Sequence, residues 1–554
     1  MAAKSPFLIK ELQAQYLSAM TEKQKYALRW ARIAALTGIA DPLAVIGMTA
    51  ASGAKTSTEQ FELDSNVFDP AAASNIFVLS NYTTTMLFGN RQKFLLKATD
   101  KESQSYHDAV AEAANEMFEM PAGMFASATR TMIETSCIPF GNGGYLIKED
   151  KENKCVVFEP LTCADTCIIE GKNGVIEGII LNRLVSVQNF VESFGDLPKD
   201  IEDALRQEKR TTKDIQLLYY ICKNPYYQKG KPGRNGMPWI GVYCCEKIDS
   251  SWSHVNFFSY KPFVFYRNVV MRGEIYARGN IDRVLGSVDS ANELTRIANE
   301  AVERMENPAI AITAEVNSDS VIDMSPGGVN VLTPMPGQNG TPMFAMQPSG
   351  DPSGILKTSI PRYDQFITQA FGLSMFLDVN PVAGMTARQV LEQTISRNKN
   401  ALPTYLGYRE QILLPLFDIV CHIVEKNRWY DTSKTYPSKK SGHRVVPLNA
   451  MEEVYTSNVM EKLAEIGNMF MALRNVMPKV EIMFSLYPMV QNALKGSKYE
   501  PYLVSETTFK SRVQAMARVE ATAMYAGKQV EDGLAGMPKP GTPEGDVEAA
   551  EGSV

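Results

Sequence analysis

Apolar residues recur at steps of three and four along one stretch of the chain: Val284, Leu285, Val288, Ala291, Leu294, Ile297, Ala298, Ala301, Val302 and Met305. That spacing puts them on one stripe of a helix. It predicts a helix from Ile281 to Glu306, about 39 Å long at the usual rise per residue. The helix must stop near Asn307, because Pro308 lacks an amide proton and crowds the residue before it. From Ser325 to Gly354 the chain holds six prolines and six glycines in thirty residues, which excludes a helix and leaves short strands at Val329 to Leu332 and Met343 to Met346. A second helix is predicted from about Ile355 to Phe371, with Pro361 kinking it or resetting its start and Gly372 as its stop. A longer helical region opens at Thr386, an N-cap whose amide Gln389 reaches in a capping box. Val390, Leu391, Ile395, Leu402, Leu406, Ile412, Leu413, Leu416, Phe417, Val420 and Val424 continue it, with kinks at Pro403 and Pro415.

Helical patterns also cover residues 6 to 38, a start at Asp69-Pro70, and about Asp100 to Ser136 with a break at Pro121. The chain then alternates at period two. GYLIKED and CVVFEP flank residues 151 to 153 as a hairpin, and TCIIEG and VIEGIILNRLVSV flank Lys172-Asn173-Gly174 as another. Helices follow at Val187 to Phe194 and Lys199 to Glu208. Strands follow at Ile215 to Cys222, Trp239 to Lys247, Ser253 to Ser259 and Phe263 to Asn268. Residues 450 to 476 and 506 to 526 read as helical, and the tail from Gly533 has a disordered composition.

Two local motifs, GEIYARG (Gly273 to Gly279) and MTARQVLEQ (Met385 to Gln393), bracket the helix, insert and second helix. This order, with LLPLFD downstream and SVQNFVESFGDLP upstream, resembles the head-to-tail connecting family, the portal proteins of short-tailed double-stranded DNA phages. The resemblance spans roughly residues 5 to 525. Ala277 and Asn280 depart from it, standing where Gly and Pro are expected, which bears on the local turn.

The resemblance implies an α+β, elongated multi-domain subunit with wing, stem, clip and crown, a mainly helical core and a strand-rich wing part. On it, residues 1–280 form the wing (helical to about 136, strand-rich from about 144), 281–307 the first stem helix, 308–353 the clip and 354–372 the second stem helix. The channel loop is 373–385, the wing's long helix and following loop 386–445, the helical crown 446–530 and the acidic tail 531–554. Gly273, Glu274, Tyr276, Arg278, Gly279, Met385, Thr386 and Ala387 are then structural motif residues, and Met375, Phe376, Asp378, Asn380 and Lys357 are candidates to approach DNA. The implied partners are further copies in a homo-oligomeric ring, a dodecamer as the family implies, the terminase large subunit, tail adaptor proteins, major capsid and scaffolding proteins, and double-stranded DNA passing through without sequence specificity. The implied place is a capsid vertex of the virion, after assembly in the host cytoplasm.

Composition narrows the function classes. At 554 residues, 45% hydrophobic and 21% charged, the chain is ordinary globular protein with material for several domains. The formal charge of -6 is concentrated at the end. Residues 531–554 carry Glu531, Asp532, Glu544, Asp546, Glu548 and Glu551 against Lys539, so the body is nearly neutral. Tight non-specific DNA binding needs a basic field that neutralises several phosphates, and the totals show none. The stretch from Ala309 to Thr358 has four acids and one base, Lys357, so it repels DNA mildly. Eight cysteines without a leader fit a reducing cytoplasm, and no apolar run reaches the ~20 residues needed to cross a bilayer.

The chemical motifs are weak by comparison. AVIGMTAASGAKTS (Ala44 to Ser57) has glycines and Lys55-Thr56, but five residues separate Gly47 from Gly53 where a phosphate-binding loop has four, and Ala54 intervenes before the lysine, so it does not make such a loop. A nucleotide-dependent packaging enzyme built on it is the alternative function, and a tail adaptor without the helix–insert–helix order is another. GNGGYL (Gly141 to Leu146) precedes a strand and reads as a turn rather than a dinucleotide site. His107, His254, His422 and His443 have no nucleophile setting, and the cysteines form no CxxC, so no catalytic residue, cofactor or metal is expected. The 27 methionines read as core filling or adaptable interface.

Overall fold

The computed structural model describes residues 9–39, 67–100, 103–195, 214–245, 252–313, 322–332, 343–346, 358–372, 401–433, 436, 442–449, 451–452, 467–469, 509 and 511. The chain divides into two compact units, Met1–Tyr455 and Thr456–Val554. The second is described only at its last five positions above, of which 467–469 are helical. All that follows concerns the first.

Among the described residues its helices include α1 (Ile9–Gln24), α2 (Ala27–Thr37), α3 (Ala71–Phe88), α4 (Gln104–Met117), α5 (Phe125–Met132), α6 (Val187–Phe194), α7 (Leu285–Glu306), α8 (Ile360–Ala370) and α9 (Leu414–Asn427). The strands are β1 (Phe94–Ala98), β2 (Asn142–Asp150), β3 (Cys155–Leu161), β4 (Thr166–Glu170), β5 (Ile176–Ser186), β6 (Asp214–Lys223), β7 (Trp239–Cys245), β8 (His254–Phe258), β9 (Phe263–Arg267), β10 (Ala309–Thr313), β11 (Val329–Leu332), β12 (Met343–Met346) and β13 (His443–Pro447). Helix and sheet are mixed, as an α+β class requires.

The hairpin signals become an antiparallel five-stranded meander, β4-β5-β6-β7-β8. Its period-two alternation separates two faces. Leu218 and Tyr220 join Leu12 and Tyr16 of α1 in one cluster, while Tyr219 and Ile221 join the main core. Beside it lies β3-β2-β9, also antiparallel. The pair β1-β13 joins residues far apart in sequence, and β11-β10-β12 is a small mixed sheet.

Several boundaries move from their expected places, each for a local reason. The predicted helix from Ile281 begins as a 3-10 turn (Ile281–Arg283), Val284 breaks it at φ -126° and ψ 14°, and α7 starts at Leu285. It ends at Glu306, as Pro308 demands. Pro361 resets the second helix, whose α-turns start at Ile360 with the proline in the first turn, and Gly372 follows at φ 70°. In GNGGYL only Gly141 is a turn, at φ 74°, because Asn142 already pairs with Arg267 of β9. Two π-turns, Ile133–Cys137 and Arg409–Leu413, each end two residues before a proline, Pro139 and Pro415. A wider turn accommodates a ring that can neither donate to the carbonyl four residues back nor sit against it. The helix expected at Lys199 to Glu208, the Ala44 to Ser57 segment and the start of the long helix at Thr386 lie outside the described residues. Among the described residues, no helix is long and apolar enough to cross a membrane.

Candidate functional site

The GEIYARG residues lie where four elements converge. Tyr276 is buried, and its ring stands edge-on to Tyr26 and Trp30 at centroid distances of 5.3 and 5.1 Å. Its hydroxyl accepts the Ile168 amide of β4 at 3.1 Å. Burial pushes the Tyr276 phenol well above its ordinary pKa, so it stays neutral. Trp30, of α2, is 0% exposed and also meets Phe140 edge-on at 6.0 Å. Such pairs contribute about 0.5–1.5 kcal/mol beyond the area they bury.

Glycines let two backbones touch here. A Cβ on Gly279 would run into the Pro139 carbonyl oxygen, and one on Gly141 into that of Arg278. Asn142 stitches the crossing: its amide group donates to Phe140 O at 2.7 Å and Ala277 O at 3.0 Å, and its Oδ1 accepts the Ala277 amide at 2.8 Å. Asn280 donates its amide to Ile138 O at 3.0 Å. Ala277 is fully buried and hydrogen-bonded to Asn142, and Asn280 is bonded to Ile138, so both departures from the family pattern are accommodated in hydrogen-bonded backbone. Asn142, Trp30 and Arg29 were not singled out by the sequence, and the only local signal for the crossing was the GNGG cluster.

Charged groups tie this anchor to α2. Glu274 accepts from Arg278 Nε at 3.1 Å and Nη2 at 2.6 Å, with Arg29 Nη1 at 3.8 Å. The Arg278 hydrogen bonds hold the Glu274 carboxyl below its ordinary pKa against partial desolvation. Asp282 accepts the Gly279 amide at 2.7 Å and faces Arg29 Nε at 3.0 Å. Burial raises the Asp282 carboxyl, and the Arg29 charge opposes that rise. Gly273, at φ 83°, has open space around its Cα and supplies only the left-handed backbone.

From this anchor α7 departs, and its first half is clasped. Arg32 of α2 pairs with Asp289, Asn292 Oδ1 accepts the amides of Phe68 and Asp69 at 2.7 and 3.1 Å, and α8 packs alongside. Val288, Ala291 and Ala298 are buried, but Ile297, Val302 and Met305 of the same apolar stripe are 39%, 36% and 49% exposed. Both arginines of α7 meet acids on their own helix: Arg296 with Glu293 and Glu300, and Arg304 with Glu300 at 3.9 Å. Five acids against two arginines leave α7 negative. Beyond α7, β10 is flanked by β11 and β12, and Ile322, Met324, Val329 and Met343 are exposed. Met375, Phe376, Asp378, Asn380, Lys357, Met385, Thr386 and Ala387 lie outside the described residues, so no geometry is assigned to them.

The model of the bacteriophage head to tail connecting protein family matches residues 10–428. Among solved structures the chain is similar to "Neck of empty GTA particle computed with C6 symmetry", at 12% identity over 76% of this chain and 94% of that one, with a TM-score of 0.34. It is also similar to "Virion of native gene transfer agent (GTA) particle", at 11% identity, the same coverages and a TM-score of 0.33. At these scores the two likenesses carry no argument. No curated protein matches. On the family match, which covers most of the chain, this protein belongs to the bacteriophage head to tail connecting proteins, structural connectors of the virion that serve as portal at the capsid vertex.

Proposed function

We propose that copies of this chain close into a ring, dodecameric as the family resemblance implies, with α7 and α8 as the stem and residues 308–353 as the clip. The observation that carries the proposal is the α7 stripe, continuous in sequence but buried by its own chain only as far as Ala298, with Val302 and Met305 beyond it exposed. Its uncovered apolar residues, with those of the small β11-β10-β12 sheet, suit the flank of a second copy of this chain. The edge strands β11 and β12 offer backbone groups for pairing across subunits.

In this reading the acidic balance of α7 and of residues 309–358 serves passage. A wall that neutralises few phosphates releases few counterions and holds DNA weakly, so the duplex slides along the axis during packaging and ejection. Residues 373–385 line the channel, with Met375, Phe376, Asp378 and Asn380 of this loop, and Lys357 of the second stem segment, nearest the DNA. The clip meets the terminase large subunit during packaging and tail adaptors later, while major capsid and scaffolding proteins surround the wing. Residues 446–530 form the crown. Deletion of 309–353 tests the clip: the proposal expects terminase and adaptor docking to be lost with the thermal transition of the body retained, and docking at parental affinity would refute it.

A further inference from the structure

The four histidines of this chain are scattered in sequence, yet the fold brings two of them together with a carboxylate. His107 on α4, Glu425 on α9 and His443 at the start of β13 each offer a ligand atom, and these atoms all lie within 4.8 Å of one another. The two imidazole rings are 5.1 Å apart between centroids, inclined at 56°. His107 is 1% exposed, and the Tyr106 ring beside it, 5.2 Å away between centroids, stands edge-on to Tyr430 and Tyr436 in turn. The elements are held independently of any ligand: α4 packs on α9 and on β1, and β13 pairs with β1.

We propose that His107, Glu425 and His443 form a structural binding site for a divalent transition metal of the zinc class. Two imidazoles and a carboxylate are the donor set such ions take, whereas magnesium and calcium prefer oxygen alone. Ligand atoms around a tetrahedral ion bonded at about 2.0–2.2 Å stand about 3.4 Å from one another. The present separations, up to 4.8 Å, must shorten by about 1.4 Å for all three to bind one ion. Two of the three candidate ligands already have an outer partner. Asp418, seven residues before Glu425 on α9, has Oδ1 3.3 Å from His443 Nε2, and the Tyr106 hydroxyl donates to Glu425 Oε1 at 3.2 Å. Contacts of this kind fix the orientation of ligating imidazoles and carboxylates. A fourth position is left for water. The ion would fasten β13 to two helices of the core, reinforcing a two-stranded pairing that is weak by itself.

Without an ion the same groups make an ordinary histidine–carboxylate cluster, and metal binding distinguishes the two. Tag-free full-length protein, stripped with chelator and dialysed, is titrated with zinc chloride by calorimetry and with cobalt(II) by visible absorption. The proposal expects one ion per chain, cobalt bands of tetrahedral or five-coordinate strength, and a higher melting temperature with metal. His443→Gln and Glu425→Gln should each weaken zinc binding more than 100-fold, and His254→Gln, on the distant β8, should leave it unchanged. The metal-free melting temperature of each variant is measured alongside, so that a folding defect is read separately, and Glu425→Asp serves if Glu425→Gln does not fold. Absence of zinc binding tighter than about 10 μM, far weaker than structural zinc sites require, or binding of parental strength in both His443→Gln and Glu425→Gln, would overturn the proposal.

Discussion

The anchor around residues 273–282 and the excursion from Asn299 to Thr358 are neighbours in sequence but opposite in character. In the anchor, aromatic rings, buried amides and ion pairs find partners within the chain: Tyr276 with Trp30, Asn142 with Ala277, Glu274 with Arg278. In the described part of the excursion, apolar side chains such as Val302, Met305, Ile322, Val329 and Met343 face outward. A chain that satisfies one region so fully and leaves the next uncovered is built for two tasks. The anchor fixes where α7 leaves the body, and on the proposed function the excursion is finished by other copies of the chain.

Removing the centre of the anchor should have the largest effect on the fold. Trp30→Ala empties the space between Tyr26, Phe140 and Tyr276 and should cost about 3–5 kcal/mol, read as a fall in denaturant midpoint. Asn142→Ala strips the crossing of its stitches and leaves the Ala277 amide and carbonyl buried without that partner, which should cost about 1–3 kcal/mol in the same assay. A loss below about 0.5 kcal/mol for either would erase the contrast between the two regions.

The anchor's charges should matter less and should depend on pH. The Glu274 carboxyl is depressed in the folded state, so its contribution is present above the unfolded carboxylate value of about 4.3 and is lost as pH falls through the folded value. Asp282 is raised by burial, so it has the opposite sign and favours the fold as acid is added. Glu274→Gln should therefore flatten acid destabilisation at low pH while costing less than about 1 kcal/mol at neutral pH, as befits a partly exposed pair. Urea titrations at several pH values decide this, and an unchanged pH slope would exclude Glu274 from it.

How much of this was legible in the sequence follows the same divide. Period two gave the strands from β2 to β9 nearly residue by residue, and the step of three and four gave α7 together with its end at Pro308. These are local signals. The Gly141–Gly279 crossing was not legible, because a glycine that admits a neighbouring backbone looks like any turn glycine until the neighbour is known. His107 and His443 stand on separate elements brought together by the β1-β13 pairing and by packing on α9, so no spacing announces them. The π-turn before Pro415 replaces the simple kink that this proline suggested, and the one before Pro139 had no counterpart in the sequence reading. The exposed end of the α7 stripe, Val302 and Met305, was legible as apolar and illegible as uncovered, since periodicity records which residues share a face and says nothing of what lies against it.

The outward residues should hardly affect the fold of the single chain. Val302→Asp with Met305→Asp is expected to change its stability by no more than about 0.5 kcal/mol, the range of surface substitutions. Its consequence should fall on assembly. Imaging the purified parent and this double variant by electron microscopy tests the central claim most directly. Rings with an axial opening are expected from the parent, and folded protein without rings from the variant. A parent that never forms rings under assembly conditions, or a double variant that forms them as readily as the parent, would contradict it.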